Sequence, residues 1–319
     1  MAKDGNVTGV YTGDRTYSGR CNFTGGVLGM GVQVVKGSHI WYVDKNSELA
    51  ASGDGLSWDT AFLTVTEAVA AAGDYDIIFI GDGIYDGDET YPLAITQTGL
   101  KIFGSGTSGY NWGPCALKST ANAETIMTID ANGVEIAGVD FNLYTNAKSG
   151  ILLGTTKSIY KTHIHDCFFG CASAGNAEGE CGIAIGCTVA GAQGTYDAVD
   201  THVERCGFHY LATAGIAAYG TRTKITNCFF ISNSTCIKFL AEGANRAYHM
   251  CVDNYMIGRG GAGPGIFIAS TEPTAGCLLI ANNVVTNFAT NITTGKSEAG
   301  IVNNQTYASA SSYLQVDSS

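Results

Sequence analysis

The stretch "IHDCFF" (164–169) decides the fold, because its pattern returns down the chain. An apolar anchor is followed two places on by a small or polar residue, and at the fifth place by another apolar one. The other copies are "IAGVDF" (136–141), "VERCGF" (203–208), "ITNCFF" (225–230), "VDNYMI" (252–257) and "IANNVV" (280–285), with "IVNNQT" (301–306) as a weaker last one. A second segment follows each anchor in the same order: "GILL" (150–153), "GIAI" (182–185), "GIAA" (215–218), "CIKF" (236–239), "GIFI" (265–268) and "NITT" (291–294). A unit of roughly 20–30 residues holding two or three short strands is one coil of a parallel β-helix. A lone coil cannot bury its apolar face, but coils stacked about 4.8 Å apart build a continuous core.

Used as a ruler, the repeat predicts columns of like residues. Two places after the anchors stand Gly138, Asp166, Arg205, Asn227, Asn254, Asn282 and Asn303. The last four, Asn227, Asn254, Asn282 and Asn303, are expected to form an asparagine ladder with amides bonded from coil to coil. One place further, Cys167, Cys206 and Cys228 fall in register, as a stack of small residues rather than a metal tetrahedron. The chain has eleven cysteines and no C-x-x-C, so free, buried thiols are expected in place of a zinc ribbon or a disulfide scaffold.

Composition bounds the rest. Of 319 residues 43 are Gly and only 4 Pro, with 45% hydrophobic and 14% charged, which is a core-forming chain. A net charge of −11 with 17 scattered Lys and Arg excludes a nucleic-acid partner and argues equally against an anionic membrane. The opening "MAKDGNVTGVYTGDRTYSGR" has no apolar run behind a basic start, so no signal peptide is expected and folding in a reducing cytoplasm is. Residues 1–40, rich in Gly, Thr and Asn, read as an extended N-terminal arm. Residues 41–306 read as the β-helix and 307–319 as a polar C-terminal tail. The longest insertion between segments is 171–200. One helix is expected over 59–72, where Ala61, Val65, Ala68, Val69 and Ala72 form a stripe, with Asp59 or Thr60 as cap and Gly73 as stop.

The stretch "WYVDKNSELAASGDGLSWDTAFLTVTEAVAAAGDYDIIFIGDGIYDG" (41–87) resembles the opening of the pectate-lyase-like superfamily of right-handed β-helix proteins. Asp44, Gly55–Trp58, Ala61, Phe62 and Gly83–Tyr85 carry the resemblance, which extends over about residues 40–305. It implies an all-β fold: a single right-handed parallel β-helix with a short N-terminal capping helix and an extended arm. It does not imply one activity, since the superfamily holds lyases, hydrolases, epimerases, phage tailspikes and non-catalytic virion proteins.

Alternation sends His163 and His165 outward around Ile164, and His202 and Glu204 outward around Val203. These four should form one surface patch whose spacing suits a divalent ion or pH-sensitive contacts, beside the plainer reading of a solvated or subunit-contact surface. A lyase would need an acidic calcium cluster beside stacked basic residues, and Arg205 and Lys224 are expected on different faces. A hydrolase needs two carboxylates flanking a groove. Asp140, Glu135, Asp253 and Glu204 are available, Glu204 and Asp140 being the candidates, yet spacing singles out no pair. The acidic turns "GDYD" (73–76) and "DGDETY" (86–91) could hold calcium weakly but have no EF-hand pattern. "GRGGAGPG" (258–265) lacks the Walker lysine and reads as a loop. No catalytic residue, metal ligand or cofactor is implied outright.

The expected function is a non-enzymatic phage virion protein, located on the particle. The favoured role is a homotrimeric capsid decoration or cement protein whose arm engages the major capsid protein or another virion protein. The alternative is a tailspike that binds or depolymerises host surface polysaccharide. A cellular polysaccharide lyase or epimerase ranks third; any enzymatic activity would be that of a lyase or glycoside hydrolase.

Overall fold

The computed structural model describes residues 38–48, 51–107, 113–120, 124–143, 148–170, 179–188, 194–240, 248–258, 263–268, 278–294, 300–307 and 315–316. The expected arm, most of the tail and much of the 171–200 insertion lie outside these residues. Short strands recur in a fixed cycle and pair in parallel, each with its counterpart one coil away. Among the described residues they build one sheet of ten parallel strands, one of nine that gains a tenth, antiparallel strand at its end, and one of eight. The first sheet runs from Ile40–Val43 through His163–His165 and His202–Glu204 to Gly300–Val302. The second runs from Gly83–Tyr85 through Asp140–Asn142 and Phe229–Asn233 to Gln305–Tyr307, and the third from Leu93–Ile95 to Ile292–Thr294. The chain is a parallel β-helix, with an apolar core running inside the coils.

The anchors stack as the repeat requires. Ile136, Ile164, Val203 and Ile225 are successive partners in the first sheet and all fully buried. The next position is taken by Cys251, not Val252, before Ile280 and Ile301 resume the column. A buried cysteine here fills an aliphatic position, so the true fifth copy is "CVDNYM" (251–256) and the sequence alignment slips by one residue.

That slip corrects the ladder. Two places after the anchors stand Gly138, Asp166, Arg205, Asn227, Asp253, Asn282 and Asn303, and all seven have left-handed backbone, with φ between 49° and 69°. Asn227, Asn282 and Asn303 therefore turn the chain at the surface, where Gly, Asn and Asp meet that conformation at least cost. The ladder lies one place inward, as Asn254, Asn283 and Asn304. Asn283 Oδ1 accepts from the Asn254 backbone at 3.0 Å and from its Nδ2 at 2.9 Å. Asn304 Oδ1 accepts from Asn283 in the same way, at 3.0 and 2.9 Å. Cys167, Cys206 and Cys228 occupy the same inward column in the preceding coils, buried, with thiols donating to carbonyls two residues back at 3.2–3.3 Å. Burial pushes the Cys206 thiol well above its ordinary pKa, which makes it a packing group and not a nucleophile. All eight described cysteines are buried and free.

A third column explains the second segments. Phe141, Phe169, Phe208 and Phe230 stack down the core with ring centroids 4.7–5.1 Å apart. Opposite them, Gly150, Gly182 and Gly215 lie so near that an added Cβ would sit 2.7 Å from the phenylalanine Cδ1. Met256 follows Phe230 in the phenylalanine column, and the residue in register with Gly215 in the next second segment is Cys236.

The helix is shorter than its apolar stripe. Phe62 pairs with the strand at Tyr42 and Asp44, donating at 2.9 Å and accepting at 2.8 Å, so Ala61 and Phe62 belong to extended chain. A single 3-10 turn at Trp58–Thr60 precedes it, and the α-helix spans Val65–Ala71. Thr64, not Asp59 or Thr60, is the N-cap, in a capping box with Glu67. From the acidic turn, Glu89 accepts the Val65 and Thr66 N–H groups at 2.7 and 2.9 Å. In the expected tail, Gln315–Val316 folds back antiparallel on Gln305–Tyr307 and covers that strand of the second sheet.

Candidate functional site: a charged cluster on the first sheet

The outward face of the first sheet carries two columns. Lys101, Glu135, His163, His202 and Lys224 are successive partners in one, and His165, Glu204 and Thr226 in the other. The structure thus brings His163, His165, His202 and Glu204 together, and adds Glu135, Lys101, Asp166 and Arg205. Glu135 was legible from the ruler, since it precedes its anchor just as His163 and His202 precede theirs. Asp166 and Arg205 join through the left-handed turns, which no periodicity announces.

The charges alternate. Lys101 Nζ stands 2.9 Å from Glu135 Oε2, and Glu135 Oε1 is 3.2 Å from His165 Nε2. His165 Nδ1 is 2.7 Å from Asp166 Oδ2, so the ring donates from both nitrogens when protonated. Arg205 grips Asp166 with two bonds of 2.8 Å and reaches Glu204 Oε1 at 2.8 Å. Glu204 ends the chain against His163 Nε2 at 3.2 Å and His202 Nε2 at 3.8 Å. The His163 and His202 rings stack at 5.0 Å and 8°.

This arrangement sets the protonation states. The hydrogen bond from His165, with Lys101 beside it, holds Glu135 at about 2. Arg205 holds Asp166 at about 2. Glu135 and Asp166 in turn raise His165 above its ordinary value, against the cost of its burial. Burial opposes ionisation of Glu204, but Arg205 outweighs it and the carboxyl stays below its usual range. Burial lowers His163, and burial with the nearby Lys224 lowers His202 to about 4. Lys224 follows His202 in the outward column, while Arg205 stands on the adjacent left-handed turn and reaches back to Glu204.

The other candidates fall elsewhere. Asp140 begins a strand of the second sheet, is 3% exposed and accepts the Gly113 N–H, so it does not meet Glu204. Asp253 is a left-handed turn residue. The acidic turns are engaged: Asp76 accepts from the His39 and Gly73 backbones and the Trp41 indole, and Asp86 pairs with Lys45 and Lys118. Within "GRGGAGPG", residues 259–262 lie outside the described part. Among the described residues no helix is long and apolar enough to cross a membrane.

No family model matches the chain, and no curated protein does. Solved structures do. The pectin methylesterase PemA from Erwinia chrysanthemi matches at 12% identity, over 88% of this chain and 92% of that one, with a TM-score of 0.56. Pectate lyase Pel9A matches at 11% identity, over 85% and 76%, with a TM-score of 0.52. A tailspike of E. coli bacteriophage HK620 matches at 13% identity over 73% of this chain and 41% of that one, and its TM-score of 0.41 is too low to bear weight. At such identities the likeness is one of fold alone, and the fold is the right-handed parallel β-helix.

Proposed function

We propose that the chain is a non-enzymatic structural protein of a phage particle. In this reading it is a capsid decoration or cement protein, a trimer of side-by-side β-helices on the exterior, held to the shell protein through residues 1–40. One observation carries the non-catalytic part. Glu135 and Glu204 share a face, each one coil from His165 and so two coils from one another, and they are the carboxylates a glycosidase could draw on there. Both are held ionised below the ordinary carboxylate range by bonded cations, so neither keeps a proton at neutral pH to give a leaving group. Asp140 is buried on another sheet. A net charge of −11 suits an exposed, soluble exterior. The test is incubation with host surface polysaccharide and a reducing-end assay. No release is expected; release that disappears in Glu204→Gln or Asp140→Asn overturns the proposal.

A second reading, a tailspike that binds polysaccharide, is favoured by a separate feature. Phe229 and Tyr255 are 44% and 42% exposed on the outward face of the second sheet, with rings stacked at 5.5 Å. Retention of the chain on immobilised polysaccharide, lost in Tyr255→Ser, would favour this reading over the first.

A further inference from the structure

His163, His202 and Glu204 place three donor atoms within 4.8 Å of one another on two adjacent coils. We propose that they form a site for a divalent transition metal of the zinc, nickel or copper type, which ties the coil of His163 to that of His202.

The donor separations carry this. A tetrahedral ion with bonds of about 2.0–2.1 Å sets its ligand atoms a little over 3 Å apart. Glu204 Oε1 is already 3.2 Å from His163 Nε2, and Oε2 is 3.8 Å from His202 Nε2; the stacked imidazoles close the set by turning about their side-chain bonds so that both ring planes meet at the ion. His202 Nε2 also meets the Thr226 hydroxyl at 3.1 Å, a contact the ion would replace. Two imidazoles and one carboxylate select zinc, nickel or copper over calcium or magnesium, which favour all-oxygen shells. Arg205 bonds Glu204 at Oε1 and fixes its orientation from outside.

The protonation states agree with the geometry. Both histidines are held neutral and Glu204 ionised, so the ion meets ligands in their binding forms. At His163 the Nε2 proton that faces Glu204 moves to Nδ1 as the metal takes its place. The neighbouring set, Glu135 with His163 and His165, is the poorer one: Lys101 occupies Glu135, and Glu135 and Asp166 favour the protonated form of His165. The side chains of His163 and His202 are 35% and 27% exposed, so the remaining positions on the ion are open to water.

The full chain, stripped with chelator, is titrated with zinc chloride in a calorimeter. One ion per chain is expected, with a thermal midpoint that rises with zinc. His202→Ala and Glu204→Gln should each weaken binding at least about 10-fold, while the exposed His39→Ala leaves it unchanged. Circular dichroism of each variant separates lost binding from lost fold, and Glu204→Gln preserves shape if His202→Ala does not fold. Absence of zinc binding to the unsubstituted chain, or equal binding in the folded variants, overturns the site.

Discussion

The backbone N–H of Cys228 donates to Asn254 Oδ1 at 2.9 Å, one coil away. That bond joins the thiols and the amides into a single column at one corner of the helix. Above the junction small thiols pack; below it Asn254 and Asn283 each bond the amide of the next coil.

Asn283 is the test of that column. Its Oδ1 accepts two bonds from Asn254, and its Nδ2 donates to Cys251 O and to Asn304 Oδ1, both at 2.9 Å. Asn283→Ala strands buried partners and should cost about 3 kcal/mol. Asn282→Gly, at the adjacent left-handed turn with φ 55°, should change stability by less than about 1 kcal/mol. Denaturant midpoints check both; equal losses would contradict the assignment of Asn283, and not Asn282, to the ladder.

Gly182 faces Phe208 and the Gly215 carbonyl, 2.7 and 2.6 Å from where a Cβ would stand. Gly182→Ala should destabilise by about 2–3 kcal/mol through overpacking. Gly87→Ala, with nothing within 4 Å, should be neutral within about 0.5 kcal/mol. A thermal midpoint unchanged in Gly182→Ala would refute the close approach.

The β-helix also carries polar atoms inside. The Thr201 hydroxyl is buried and has no bonding partner among the described residues. Thr201→Val keeps the shape and removes that penalty, so it should stabilise by about 1 kcal/mol. Loss of stability on this change would mean that the hydroxyl has a partner.

The pH dependence follows from His249. It is buried against Phe239, and burial lowers it to about 4. A depressed histidine is neutral when folded and takes up a proton on unfolding, so its contribution is full above about 6.5 and is lost as pH falls from there toward 4. His202 acts in the same direction over the same range. His165 is shifted upward and acts oppositely: its stabilisation is full below about 6.5 and fades as pH rises through its folded value. His163 is lowered as well, so three depressed groups oppose one raised group and stability should fall between pH 6.5 and 4. His249→Leu should lose less over that interval than the unsubstituted chain, by roughly 3 kcal/mol at most. Parallel pH profiles would contradict the assignment.

The coil repeat was legible because a column of like residues must recur once per turn, and the second segments show it well: Ile151, Ile183, Ile216, Ile237, Ile266 and Ile292 stack in perfect register. The pattern misled where two residues could serve. Cys251 stands for an aliphatic anchor, and "NN" at 282–283 and 303–304 offers two asparagines of which only the second points inward. The helical stripe from Ala61 was illusory because Phe62 bonds to a strand. In the cluster, alternation placed the histidines, but the reach of Arg205 back to Asp166 depends on a left-handed turn. Neither spacing nor composition reveals that carboxylates on this face are bonded to cations.

The most direct measurement for the proposed role is the copy number of the chain in purified particles, by quantitative mass spectrometry. A decoration or cement protein is present in hundreds of copies; a handful of trimers per particle, or none, would contradict it.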